Sequence, residues 1–134
     1  MAILILNIII SAILTGVILI TQIVNYPLFK YVKGEFSPFH KQYVKWIGFV
    51  VAPIMITELV IVSIMLIQDW DNILIQLIAI LLFIIWLSTF FIQVPIHNEL
   101  SLSNKKNLNL LIYSNWIRTI CWVLKLLIST IIII

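Results

Sequence analysis

The chain has 134 residues, of which 63% are hydrophobic and only 10% are charged. Soluble domains contain about 45–50% apolar and about 25% charged residues, so water cannot be the main solvent of this protein. Four membrane spans of about 22 residues would use about 88 positions. Too few residues then remain for a soluble enzyme domain attached to a membrane anchor. The net charge of +3 includes no long basic run. It does not indicate nucleic-acid binding, and lysines at lipid headgroups account for it.

Continuous apolar runs predict four transmembrane helices, each long enough to cross about 30 Å of hydrocarbon. They cover about residues 2–24, 38–68, 73–94 and 108–134. Ser37 and Pro38 form a helix-starting pair before helix two, and Pro53 should kink that helix. Pro95 is expected to close helix three, and the polar stretch 97–107 to form a loop before helix four.

The charges of the connections predict the orientation of the helices. The first and third connections are flanked by Lys30, Lys33, Lys41, Lys45, Lys105 and Lys106. The second carries Asp69 and Asp71 and no basic residue. The positive-inside rule therefore places the first and third connections in the cytoplasm and both termini outside. Because backbone groups in hydrocarbon must be paired within their own segment, we predict an all-α, antiparallel four-helix transmembrane bundle that forms one integral membrane domain.

Polar residues inside the predicted helices repeat at a helical period, which places them on single faces. These faces are Asn7, Ser11, Thr15 and Gln22 in helix one, Trp86, Thr89, Gln93 and His97 in helix three, and Asn115, Arg118, Trp122 and Lys125 in helix four. Such faces either hold the helices together by hydrogen bonds or line a cavity. Lys125 is expected to extend to the outer surface instead.

Glu58 and Arg118 are the most costly charges to place in hydrocarbon. Measured from the cytoplasmic ends of their helices, they lie about 18 Å and about 15 Å deep, at about 1.5 Å per residue. Each unpaired charge would cost roughly 2.5–3.5 kcal/mol at the bilayer centre. The similar depth predicts an ion pair between them, which either fixes only the helix register or shares the arginine with a polar ligand.

Two histidines, His40 and His97, are predicted at the cytoplasmic end. They could be hydrogen-bonded interfacial side chains, or imidazoles from two helices that hold a metal or haem. The sequence contains no HxxH or HExxH spacing. The single cysteine, Cys121, cannot form an intrachain disulfide or a multi-cysteine metal site.

Most polar residues of the helices fall in the cytoplasmic half of the predicted bundle. They are Gln22, Tyr26, His40, Glu58, Gln93, His97, Asn115 and Arg118. The outer half contains only Asn7, Gln76 and Lys125 as notable exceptions. This asymmetry predicts a polar vestibule that opens to the cytoplasm, and it argues against a channel, which needs polar lining through the full thickness.

Several segments resemble a widespread set of small, mostly uncharacterised bacterial four-span membrane proteins. They are QIVNYPLF from Gln22 to Phe29, Phe36 with His40, Pro53 with Glu58, WLST from Trp86 to Thr89, QVPIH from Gln93 to His97, and NWIRT from Asn115 to Thr119 with Trp122. That set is distantly similar to the anthrone-oxygenase-like membrane proteins, some of which oxidise aromatic polyketide-type substrates with molecular oxygen. The resemblance covers nearly the whole chain. It implies the four-helix fold, a bacterial inner membrane location and an oxygenase-like activity.

Three functions fit these patterns. The first is a small membrane enzyme or a binder of an amphipathic small molecule. Its candidate catalytic residues are His97, His40, Glu58 and Arg118, and its candidate substrate contacts are Gln22, Tyr26, Gln93, Asn115 and Trp122. The second is an accessory or scaffolding subunit of a homo-oligomer or a larger membrane complex. The third is a haem or metal electron carrier. Membrane lipids surround the protein in each case, and the sequence identifies no cofactor.

Overall fold

The computed structural model describes residues 1–102 and 105–134. In these two stretches the chain is helical and contains no strand, and four of its helices are long and apolar enough to span a membrane. We name them α1 (Ala2–Tyr31), α2 (Phe36–Gln68), α3 (Ile73–Leu100) and α4 (Leu108–Ile131). The predicted all-α, antiparallel four-helix membrane bundle is therefore confirmed.

The four helices are arranged around a square. α1 packs against α2 and α4, and α3 packs against the same two helices. The polar turn between α2 and α3 is tight, because the Asn72 side chain caps α3 by accepting a hydrogen bond of 3.1 Å from the Leu74 amide. Large apolar side chains such as Phe49, Ile67 and Phe83 are exposed on the outside, as contact with lipid requires.

Two helices continue beyond their predicted ends because each contains a wider π-helical turn ahead of a proline. In α1 this turn is Thr21–Asn25, followed by Pro27, and in α3 it is Thr89–Gln93, followed by Pro95. Proline lacks an N–H, and its ring clashes with the carbonyl four residues earlier. A π turn accommodates that mismatch without ending the helix. The prediction that Pro95 closes the third helix is therefore wrong.

The other predicted boundaries differ by smaller amounts. α2 begins at Phe36 and continues through Pro53, and α4 ends at Ile131. The predicted cap, Ser37, lies inside α2, where its hydroxyl donates to the Ser101 carbonyl. The first four residues of the predicted 97–107 loop are helical instead, because α3 ends at Leu100. Ser103 and Asn104 of that loop lie outside the described residues.

The bundle has two chemically different ends. We call the end with the first and third connections the lysine end, and the end with Asp69 and Asp71 the aspartate end. At the lysine end, the Lys105 ammonium donates to the backbone carbonyls of Lys30 and Val32, at 3.2 and 2.8 Å, and so joins the two connections. Aromatic residues near that end form one apolar cluster, and aliphatic residues of α2 and α3 form another near the aspartate end.

We expect the lysine end to face the cytoplasm, and cysteine labelling can check this. In a Cys121→Ala background, a membrane-impermeant maleimide added to intact cells should label Asp71→Cys but not Lys106→Cys. Both should react after the cells are lysed. The positive-inside rule is the physical reason. Labelling of the Lys106→Cys variant in intact cells, with Asp71→Cys protected, would reverse the orientation.

Candidate functional site

Both histidines belong to a row of hydrogen bonds near the lysine end. The Tyr26 hydroxyl lies 3.0 Å from His97 Nε2, and His97 Nδ1 lies 2.9 Å from His40 Nε2. His40 Nδ1 is in turn 2.8 Å from the Ser101 hydroxyl. The two rings also stack, with centroids 5.1 Å apart. All four imidazole nitrogens therefore have protein partners, and a metal or haem iron would have to displace one of them.

A second network joins α1 to α4 through amide side chains. Asn115 Nδ2 donates to Gln22 Oε1 at 2.8 Å, and Gln22 Nε2 donates to the Ile112 carbonyl at 2.9 Å. Thr119 donates from its hydroxyl to the same Gln22 oxygen at 3.3 Å. Gln22 and Asn115 are both buried. Each amide thus has a fixed orientation, and Asn115 presents its oxygen to Arg118.

Arg118 is a buried cation held by neutral groups. Its Nε and Nη2 donate to Asn115 Oδ1 at 2.9 and 2.6 Å, and its Nη1 donates to the Thr89 hydroxyl at 3.3 Å. The guanidinium also lies beside the Tyr26 hydroxyl and over the Trp122 ring, 6.0 Å from its centroid. It has more N–H groups than these bonds use. Within the described part of the chain, no carboxylate forms an ion pair with it.

A cavity of about 420 Å³ lies between the helices beside Arg118. Its polar wall includes Tyr26, Thr89, His97 and Arg118, and most of the remaining wall is apolar. The wall residues that are also exposed on the outside of the bundle are Ala52 and Ile56 of α2 and Phe90 and Val94 of α3. The cavity therefore opens between α2 and α3 toward the region that lipid occupies.

The predicted ion pair between Glu58 and Arg118 is wrong, because Glu58 pairs with Lys125 instead. Glu58 Oε1 lies 3.0 Å from the Lys125 ammonium, and both side chains are fully buried. Lys125 also donates to Asn7 Oδ1 at 3.0 Å and to the Ser11 hydroxyl at 2.6 Å. The other carboxylate oxygen accepts from the Trp122 indole N–H at 3.1 Å. Lys125 therefore does not extend to the surface as predicted, because a carboxylate inside the bundle compensates its charge.

The half of the bundle near the aspartate end is consequently more polar than expected. Asn7 Nδ2 donates to the Ser129 hydroxyl at 2.8 Å, which adds to the groups around Lys125. Trp122 separates this cluster from Arg118: its N–H bonds to Glu58, while its ring faces the guanidinium. The polar groups thus form two clusters of different net charge. The one around Lys125 is neutral, and the one around Arg118 is positive.

The structure divides the candidate site residues into three groups. Tyr26, His97, Arg118 and Trp122 line the cavity, and His40 lies directly behind His97. Gln22, Gln93 and Asn115 are buried between helices, where Gln93 donates to the Ser114 hydroxyl at 2.9 Å. Glu58 belongs to the Lys125 cluster. The predicted faces of α1 and α4 are buried throughout, at Asn7, Ser11, Thr15, Gln22, Asn115, Arg118, Trp122 and Lys125.

Sequence reasoning missed several partners. The sequence predicts Ser101 in a loop far from His40, but the extension of α3 brings the two side chains together. Thr119 belongs to the NWIRT segment, but its spacing from Asn115 shows only that both face one side. Ser129 follows Lys125 by one helical turn, and that spacing is the signal that could have identified it.

Comparison with protein-family models, curated proteins and solved structures found no match for this chain. The resemblance to the anthrone-oxygenase-like proteins therefore stays an expectation from the quoted segments.

Proposed function

We propose that this integral membrane protein binds an amphipathic anion in the cavity that opens between α2 and α3. The observation that carries the proposal is that Arg118 is buried among uncharged partners. This residue is only 9% exposed, and within residues 1–102 and 105–134 none of its hydrogen-bond acceptors is negatively charged. A buried charge is costly unless it is paired. An acidic head group beside the free guanidinium N–H groups would supply the missing charge.

The shape and chemistry of the cavity support the same class of ligand. Its volume of about 420 Å³ falls in the range of small-molecule sites, roughly 300–1,000 Å³. Its wall is apolar apart from a few polar groups at the Arg118 side, so a hydrocarbon tail and a polar head would have separate places. The exposed wall residues Phe90 and Val94 let such a molecule enter from the lipid.

Replacing the guanidinium should weaken binding of an anionic probe. We expect Arg118→Met to raise the Kd of dodecanoate about 10- to 150-fold, because a hydrogen bond to a charged group contributes about 1.5–3 kcal/mol. Dodecanol, which has no charge, should lose much less. The measurement is equilibrium dialysis against nanodiscs that contain the protein, with protein-free nanodiscs subtracted.

Two further variants make this test specific. Arg118→Lys keeps the positive charge but loses the planar group that bonds Asn115, so its affinity should fall between those of the wild type and Arg118→Met. Lys45→Met removes an exposed lysine from the same end of the bundle and should leave dodecanoate binding unchanged. If folded Arg118→Met binds dodecanoate as tightly as the wild type, the proposal fails.

A scaffolding role is the second candidate, and the Lys125 cluster favours it. Glu58, Lys125, Asn7 and Ser11 are buried and do not line the cavity, and their contacts join α1, α2 and α4. A pure scaffold would keep its fold and assembly in Arg118→Met and would show no saturable dodecanoate binding in the wild type.

The family resemblance extends the first proposal to a small oxygenase-like membrane enzyme in a bacterial inner membrane. In that case the bound molecule is a substrate, held by Arg118 with His97 close to its head group. Consumption of oxygen that depends on both the substrate and Arg118 would support this extension. A ligand that binds and is recovered unchanged under air would limit the function to binding.

A further inference from the structure

The hydrogen-bonded row from Tyr26 to Ser101 joins the cavity to the lysine end. Tyr26 and His97 line the cavity, His40 is completely buried, and Ser101 is half-buried after the end of α3. The three contacts of the row measure 3.0, 2.9 and 2.8 Å. Every group in it can both donate and accept a proton. The row is therefore unbroken between a ligand site and the aqueous surface.

Its chemistry permits two directions of hydrogen bonding. A neutral imidazole donates from one nitrogen and accepts at the other, so both histidines must be oriented in the same sense. In one direction the Tyr26 hydroxyl donates to His97, and His40 donates to Ser101. In the other direction Ser101 donates to His40, and the Tyr26 proton is free to point into the cavity. When each group passes one proton to its neighbour, the direction reverses and, in net terms, one proton is transferred from one end of the row to the other.

The packing around the row keeps it ordered. Phe36 stacks on His40 at a centroid distance of 5.4 Å, and Phe29 meets the same ring edge-on at 5.8 Å. These rings cover the imidazole on its apolar sides. At the cavity end, Arg118 lies beside the Tyr26 hydroxyl. Its charge would stabilise an oxyanion that forms there.

We propose that Tyr26, His97, His40 and Ser101 are a proton relay, and that the ligand of the cavity carries an acidic hydroxyl group. This inference rests on the proposed function, because the ligand must occupy the cavity. The O–H bond of the ligand breaks as Tyr26 accepts its proton and passes its own hydroxyl proton to His97 Nε2. His97 releases its Nδ1 proton to His40 Nε2, and His40 releases its Nδ1 proton to Ser101. Ser101 passes its hydroxyl proton to water, and the ligand oxygen keeps the bonding electron pair as an anion beside Arg118.

A chromophoric acid can report this transfer directly. The probe is 4-nitrophenol with an octyl chain on the ring, because its phenol and phenolate differ in absorption. The protein in nanodiscs is saturated with the probe at low pH, the pH is raised in a stopped-flow mixer, and ionisation of the bound probe is followed. The rate, and not the final extent, depends on a relay.

The decisive variants replace each imidazole by an amide. His97→Gln and His40→Gln can keep hydrogen bonds to their neighbours, but an amide cannot pass a proton on. We expect ionisation of the bound probe to slow about 100-fold in either variant, within the usual contribution of a positioned acid or base. Affinity for the phenolate should change little in His40→Gln, because His40 lies behind His97 and does not line the cavity. Tyr31→Phe, which removes an exposed hydroxyl from the same helix, should ionise the probe at the wild-type rate.

Each outcome identifies which proposal fails. Equal ionisation rates in the wild type and both glutamine variants, with binding intact, would overturn the relay and leave the binding site standing. Absence of saturable probe binding to the wild type would overturn both. If the glutamine variants do not fold, the wild type alone decides. The relay requires slower ionisation in D₂O with a curved dependence on the deuterium fraction, because several protons move, and a rate unaffected by D₂O would overturn it.

Discussion

Neutralising either partner of the Glu58 and Lys125 pair alone should destabilise the bundle by about 3–5 kcal/mol. Glu58→Gln leaves the Lys125 ammonium buried without a counter-charge, and Lys125→Met leaves the Glu58 carboxylate in the same condition. Neither charge can reach water, since both side chains are fully buried. The double variant removes both charges and should cost much less than the sum of the two single changes.

Reversible unfolding in mixed micelles measures these free energies, and the coupling energy follows from the double-mutant cycle. The matched control is the cycle between Glu58→Gln and Arg118→Met. Arg118 bonds to Asn115 and Thr89, so we expect this second coupling to be small. A larger coupling of Glu58 to Arg118 than to Lys125 would restore the pair predicted from the sequence.

The sequence could not choose between these two cations for a geometric reason. Arg118 and Lys125 are seven residues apart, which is close to two helical turns, so both face the same side of α4. Their depths along the helix differ by about 10 Å, at about 1.5 Å per residue. Which of them meets Glu58 depends on the axial register of α2 against α4. The packing of the whole bundle sets that register, and residue spacing along one helix does not encode it.

Much of the fold could be predicted because it depends on local composition. Long apolar runs specify helices in lipid, and the spacing of Asn7, Ser11 and Gln22 identified the buried face of α1. The turns before Pro27 and Pro95 could not be predicted in this way. A proline pattern is compatible with a helix end, a kink or a π turn, and packing against neighbouring helices decides among them.

Only part of the arrangement around the cavity could be predicted from the sequence. The sequence placed His40 and His97 at one end of the bundle, yet their contact requires α3 to extend past Pro95. The spacing of Asn115 and Arg118 predicts that both line one pocket. The structure instead uses Asn115 to hold the arginine, while Tyr26 and Trp122 line the cavity. Side-chain direction at a π turn depends on the whole bundle and is not encoded in residue spacing.

Filling the cavity from α2 should abolish saturable dodecanoate binding without unfolding the protein. Gly48 lines the cavity, and a Cβ added there would meet no atom within 4 Å. We therefore expect the phenyl group of Gly48→Phe to occupy part of the cavity that the ligand tail would otherwise use. Gly16 provides the matched control, because a Cβ at this exposed position of α1 also meets nothing within 4 Å. Gly16→Phe should bind dodecanoate as the wild type does.

Gly48→Ala separates the effect on binding from the effect on stability. Glycine inside a helix is less favourable than alanine by about 0.5–1 kcal/mol, and a methyl group finds room at this position. We expect Gly48→Ala to have a larger free energy of unfolding than the wild type and to retain most of its dodecanoate affinity. Gly48→Phe should remain folded but lose binding. Wild-type affinity in folded Gly48→Phe would mean that the anion does not occupy this cavity, and the role assigned to Arg118 would then have to be abandoned.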